Sequence, residues 1–186
     1  MDELHQALRS LRSEVDEATR RDWNRSLPFA DGLFDRWERA RALGFGEGSS
    51  VFDSVHVMGD VSVGERVWIG PSVMLDGSGA PLVVGDQCDI SAGVHIYTHD
   101  TALRCVSFGD ASIIAGPVTI GNGTYLGSQA VVVAGIEIGS RCVIGANSFV
   151  NASVPDRTIV AGSPARVVGT VEGDGAHVRF VYTETQ

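Results

Sequence analysis

The chain has 186 residues, of which 44% are hydrophobic and 23 are glycine, which suits one turn-rich globular unit with ample chain for a core. Its formal net charge of −9 argues against a nucleic-acid backbone or an anionic membrane as partner, while a phosphorylated ligand needs only a local basic site. There is no run of about 18 apolar residues, the first residues (MDELHQALRS) carry no apolar signal core, and the three cysteines are irregularly spaced, so no disulfide framework, CxxC metal site or membrane insertion is expected, and the cytoplasm is the expected location.

Residues 2 to about 20 are predicted to be helical, because Leu4, Leu8, Leu11, Val15 and Ala18 recur at spacings of four and three and form one apolar stripe. Trp23, Leu27, Pro28 and Phe29 read as a turn with apolar anchors. A second short helix is predicted from Asp31 to Leu43, and Gly44 to Ser50 is a connector. Residues 1–50 are therefore read as an N-terminal helical cap over the unpaired strand edges of whatever follows. A share in acceptor binding is the other reading of these helices.

From Val51 the pattern changes to a period of six. Val51, Val57, Val63, Ile69 and Leu75 are in phase, and phase resumes at Val84, Ile90 and Ile96 after a three-residue insertion within DGSGAPL. The cleanest stretch reads Ile114-AGPVT, Ile120-GNGTY, Leu126-GSQAV, Val132-VAGIE, Ile138-GSRCV, Ile144-GANSF, Val150-NASVP. The first position is aliphatic, the second usually glycine, and the fifth small or β-branched. Six is neither the helix period nor a strand alternation, and hexapeptide arrays build parallel β-helices. The predicted class is all-β, with three sixes per triangular coil over residues 51–168. First-position aliphatics stack between coils roughly 4.8 Å apart, glycine relaxes the corners, and Cys88 and Cys142 are core atoms at fifth positions. Ile96 and Ile114 are one coil apart by count, yet YTHDTALRCVSFGDASI breaks the pattern and is read as an excursion, the kind of loop that carries function. Pro155 and Asp156 turn the chain, and a polar tail, 169–186, holds a strand candidate at Val178 to Tyr182.

Gly93-Val-His-Ile-Tyr-Thr-His-Asp100, the hexads, and Ala161-Gly-Ser-Pro-Ala-Arg166 together resemble the hexapeptide-repeat acyltransferases over about residues 51 to 170. More narrowly they resemble the sugar O-acetyltransferase branch, with its maltose, galactoside, nodulation and polysaccharide-modifying enzymes. The resemblance implies a left-handed coil, against the usual crossover hand, and a homotrimer with active sites in the clefts between subunits. It implies acetyl-CoA as acyl donor and no metal.

His99 matches the family's general base, and histidine titrates near neutrality as such a base must. His95 and Asp76 are the candidates for acceptor contact, Asp76 roughly matching a family aspartate near the reacting groups. Which group orients the imidazole is left open. For the cofactor, the resemblance implies the backbone N–H near Ser128 on the thioester oxygen, a backbone contact at Ala146 and the Arg166 guanidinium on the CoA phosphates. Tyr125 replaces a tryptophan common in the family, and the acceptor-contacting asparagine of the galactoside and maltose enzymes has no match near Trp68 to Val73. These departures turn the expectation from those two sugars toward an activated sugar, a glycan or another hydroxyl-bearing metabolite.

Two other functions fit the same scaffold. One is acetyl transfer to an amino group on a nucleotide-linked sugar. The other is a trimeric zinc carbonic anhydrase, with His56, His95 and His99 as ligands and His56 stacked two coils from His95.

Overall fold

The computed structural model describes residues 2–183 and opens with helix α1 over Asp2–Trp23. Asp2 and Glu3 in its first turn and Arg20 and Arg21 in its last complement the helix dipole. Between Asp31 and Leu43 the chain forms two helices rather than one, α2 (Phe29–Leu33) and α3 (Arg36–Ala42). The break falls at Asp35, whose backbone is extended and whose carboxylate accepts from the Trp37 and Glu38 amides to cap α3. The covering of the first coil falls to α3 and the connector, not to α1, which has no buried residue. Ala40 and Phe45 enter the core, the Gly46 amide donates to the Val63 carbonyl, and the Arg39 guanidinium donates to the carbonyls of Phe52 and Val55.

Buried Asp31 fastens α2 to the first corner by accepting from the Asp53 amide at 2.6 Å. Asp31→Ala leaves that amide without its acceptor and is expected to lower stability by about 1–3 kcal/mol in urea denaturation. Asp31→Asn keeps an acceptor oxygen and is expected to lose less.

The coil has three faces of parallel strands. On the first, Ser50, Trp68, Asp89, Tyr125, Val143 and Ile159 pair in succession. On the second the column is His56, Met74, His95, Val131 and Phe149. On the third it is Val63, Val84, Ile120 and Ile138, ending in a bridge from Ile138 to Val154. Tyr125 and Val143 are eighteen positions apart, which is the three sixes of one turn. Inside, Ile69, Ile90, Leu126 and Ile144 stack with no exposed surface between them, as the first-position rule requires. Cys88 and Cys142 fill fifth positions, and burial pushes both thiols up.

Glycine at the second position serves a different purpose from the one expected. A Cβ on Gly127 would sit 2.6 Å from the Ala146 amide nitrogen of the next coil, so the residue is there for room. The left-handed backbone occurs two positions later, and is taken by Gly123 and Gly135 but also by Gln129, Arg141 and Asn147.

Ile114 is a second correction. It is exposed and pairs antiparallel with Asp100, outside the coil. The excursion adds eighteen residues between the second and third faces of the third coil, so His95 pairs with Val131 rather than with a residue eighteen along. Its stem is His99–Asp100 against Ile114–Ala115, and its far part holds helix α4 (Ala102–Val106). Beyond the last coil, Thr158–Ala161 continues the first face, and Arg166–Glu172 and Arg179–Tyr182 extend it antiparallel. Positions 184–186 of the predicted tail lie outside the described residues. With helices at the N-terminal end and in the excursion, all-β describes the coil and not the whole chain.

Candidate functional site

Every second-face hexad lacks glycine at the second position. There the sequence has Met58, Asp76, Tyr97, Val133 and Asn151, whereas the other faces mostly have glycine (Gly64, Gly70, Gly85, Gly121, Gly127, Gly139 and Gly145), with Phe52 and Ser91 as exceptions on the first face. This is the corner where both the three-residue insertion and the excursion leave the coil, so side chains have space that the other corners lack.

Asp76 is set there by the strand Met74–Val84, which runs through the insertion. Its Oδ1 accepts from the Ser78 amide at 2.9 Å. Fully buried Thr98 pins the insertion beneath the start of the excursion. The Thr98 hydroxyl donates to the Asp76 carbonyl at 2.8 Å and accepts from the Gly79 and Ala80 amides at 3.2 Å each. His99 follows directly. Its Nδ1 is buried with no hydrogen-bond partner and lies 3.7 Å from Asp76 Oδ2. The imidazole side chain is 27% exposed and the carboxylate side chain 5%. Asp76 is the more buried of the two and is the group found beside the ring, whose partner the sequence left open.

Asp100 accepts from the Ala102 amide at 2.6 Å through Oδ1. Asp76, Tyr97, His99, Asp100, Thr101 and Val133 line one cavity of about 300 Å³. His95 lies one turn of the pleat away from Tyr97, and its Nδ1 is 3.1 Å from the Tyr97 hydroxyl, with the rings edge-on at 89°. Tyr97 and Thr98 are the residues that sequence reasoning passed over. The missing glycine at position 97 is the signal that marks the first.

His56 and His95 do share a column, but Met74 stands between them. Among the described residues, no group of three or more His, Cys, Asp or Glu within the chain is placed to hold a metal ion.

Ser128 and Ala146 are exposed at a different corner, between the first and second faces. The Asn147 amide donates to the Ser128 carbonyl at 2.9 Å, which stacks these two turns. Arg166 is exposed at the start of Arg166–Glu172 and pairs with Ala161. The chain thus brings His99 together with Asp76, and Ser128 together with Ala146, while the width of the second face keeps the two sets apart. Tyr125 opens onto a further cavity, of about 380 Å³, with Arg141, Val143, Val178 and Phe180 among its walls.

Residues 117–152 match the family described as bacterial transferase hexapeptide (six repeats), and residues 60–98 match the hexapeptide repeat of succinyl-transferase. The galactoside O-acetyltransferase of Escherichia coli (strain K12) is 31% identical over 120 residues, 64% of this chain and 49% of that one. The carnitine operon protein CaiE of Escherichia coli O7:K1 is 31% identical over 140 residues, 72% of this chain and 71% of that one. A hexapeptide-repeat acetyltransferase of Vibrio cholerae O1 biovar eltor, in complex with acetyl-CoA, superposes with a TM-score of 0.55 at 26% identity, over 90% of this chain and 89% of that one. The chain spans about half, or less, of the length of several curated relatives it matches. By its repeats and by these relatives, the chain belongs to the hexapeptide-repeat transferase family.

Proposed function

We propose that the protein transfers an acetyl group from acetyl-CoA to a hydroxyl of a sugar, glycan or related metabolite, with His99 as general base. The observation that carries this reading is the pairing of His99 with Asp76. A buried Nδ1 turned toward a buried carboxylate leaves Nε2 as the nitrogen to meet a hydroxyl in the cavity. Nε2 takes the hydroxyl proton as the oxygen attacks the thioester carbonyl. The C–O bond forms, the C–S bond breaks, and the departing thiolate takes the proton from His99. This direct route needs neither an acyl-enzyme, so Cys105 in α4 has no part in it, nor a metal. Acetyl-CoA as co-substrate is supported by the Vibrio neighbour, and a sugar hydroxyl by the galactoside relative.

In this reading the Ser128 backbone N–H holds the thioester oxygen as charge develops, worth roughly 3 kcal/mol of barrier. Ala146 meets the pantetheine arm and Arg166 the CoA phosphates. Because these stand a face away from His99, we assign the protein to a homotrimer of left-handed coils, with the donor corner of one subunit against the His99 corner of the next. Three free cysteines fit a cytoplasmic enzyme. Arg166→Ala is expected to raise the KM for acetyl-CoA about tenfold with the acceptor KM unchanged. An unaltered acetyl-CoA KM removes Arg166 from the donor site.

The test is free-thiol release from acetyl-CoA over sugars, nucleotide-sugars and glycans, each hydroxyl sugar run beside its amino analogue. Turnover with a hydroxyl class is expected. Turnover confined to amino sugars moves the reaction to nitrogen, and no turnover with any acceptor overturns the reading.

A further inference from the structure

Tyr97 projects outward from His95–Tyr97 at a position where the other two faces mostly keep glycine, in register with Asp76. With Val133 it gives the His99 cavity its apolar wall. The rest of the lining, Asp76, His99, Asp100 and Thr101, is polar. The Tyr97 hydroxyl does not stand free, because it is bonded to His95 Nδ1 at 3.1 Å. That bond and the edge-on packing of the two rings hold the tyrosine in one orientation, so a ligand meets an ordered ring at small entropic cost. Asp100 has Oδ1 on the Ala102 amide, which leaves Oδ2 for a ligand hydroxyl.

We infer that Tyr97 is the platform on which the acceptor's sugar ring lies, and that it sets a preference for a pyranose uncharged at the reacting ring. This rests on the acyl-transfer reading above. A pyranose has an apolar C–H face and a rim of hydroxyls. The face matches Tyr97 and Val133, and the rim matches Asp100, Thr101 and the base. The two carboxylates in the lining oppose a phosphate close to the reacting hydroxyl. His95 is then a positioning residue that acts through Tyr97 and does not itself touch the acceptor.

The experiment compares wild type, Tyr97→Ala, Tyr97→Leu and Tyr97→Phe with the pyranoside that gives the highest kcat/KM in the panel, and with glycerol as a ring-free hydroxyl. Both variants without the ring are expected to raise the pyranoside KM about tenfold while the acetyl-CoA KM and the glycerol rate hold. Tyr97→Phe keeps the ring and is expected to stay within about threefold; His95→Ala unties the ring and is expected to fall between. Saturation-transfer NMR on the same pyranoside reads the contact without turnover. Transfer from aromatic protons to one face of the sugar is expected in wild type and Tyr97→Phe, and its loss in Tyr97→Leu. An unchanged pyranoside KM in Tyr97→Leu overturns the platform. Wild type that fails to release thiol with any acceptor overturns the acyl-transfer reading instead.

Discussion

His99→Ala is expected to lower kcat by about 10²–10⁴-fold, the range a positioned general base contributes, with the KM for acetyl-CoA unchanged. The alternative source of the proton acceptor is water, which has no fixed place at the reacting hydroxyl. The donor-side residues lie at another corner and are untouched by the substitution, so binding of acetyl-CoA and chemistry separate cleanly. The side chain is partly exposed and belongs to the excursion stem rather than the stacked core, so thermal unfolding is expected to stay near wild type. Thiol release at the same rate in both proteins would remove His99 from the role of base. A rise in KM with kcat preserved would make it a binding group.

The inward stacks were legible because a coil of eighteen residues makes the hexad phase an address: Ile120, Leu126, Val132, Ile138 and Ile144 all point in. Ile114 was misplaced for the same reason. An excursion exactly as long as one coil leaves the phase intact, so counting alone cannot tell a loop from a turn of the helix. The contrast lies in content, since the far part of the excursion exposes Leu103, Val106 and Phe108 where a coil would bury every sixth residue. The motif singles out His99 as a candidate, but it does not show the environment of the ring. Asp76 and His99, twenty-three positions apart, are brought together where an insertion and an excursion leave the coil, and the hexad phase records neither departure. Tyr97 was hidden by reading the second position as usually glycine without asking which hexads lacked it. Grouped by face, Met58, Asp76, Tyr97, Val133 and Asn151 form the one column without any glycine, and that column runs past the cavity. The separation of Ser128 and Ala146 from His99 depends on which corner each hexad turns, and that emerges only once the excursion is assigned to its face.

Asp76→Asn is expected to lower kcat by about 10²-fold with little change in either KM. In the resting protein the carboxylate favours the tautomer with the proton on Nδ1, which leaves the Nε2 lone pair for the acceptor hydroxyl. When Nε2 takes that proton the ring becomes a cation, and Asp76 is the buried anion nearest to it. At 3.7 Å the pair is longer than a hydrogen bond, so the contact has room to shorten as charge develops on the ring. An amide at this position loses the charge, and if its NH₂ faces the ring it favours the opposite tautomer, with Nε2 occupied by a proton. The same amide retains an oxygen for the Ser78 N–H, and Thr98 still pins the insertion. The melting temperature is therefore expected to stay within a few degrees of wild type while activity falls, which separates an electrostatic role from loosening of the corner. Asp76→Ala, which loses the Ser78 bond as well, is expected to lower both. If Asp76→Asn keeps kcat within about twofold of wild type, the carboxylate neither selects the tautomer nor stabilises the imidazolium.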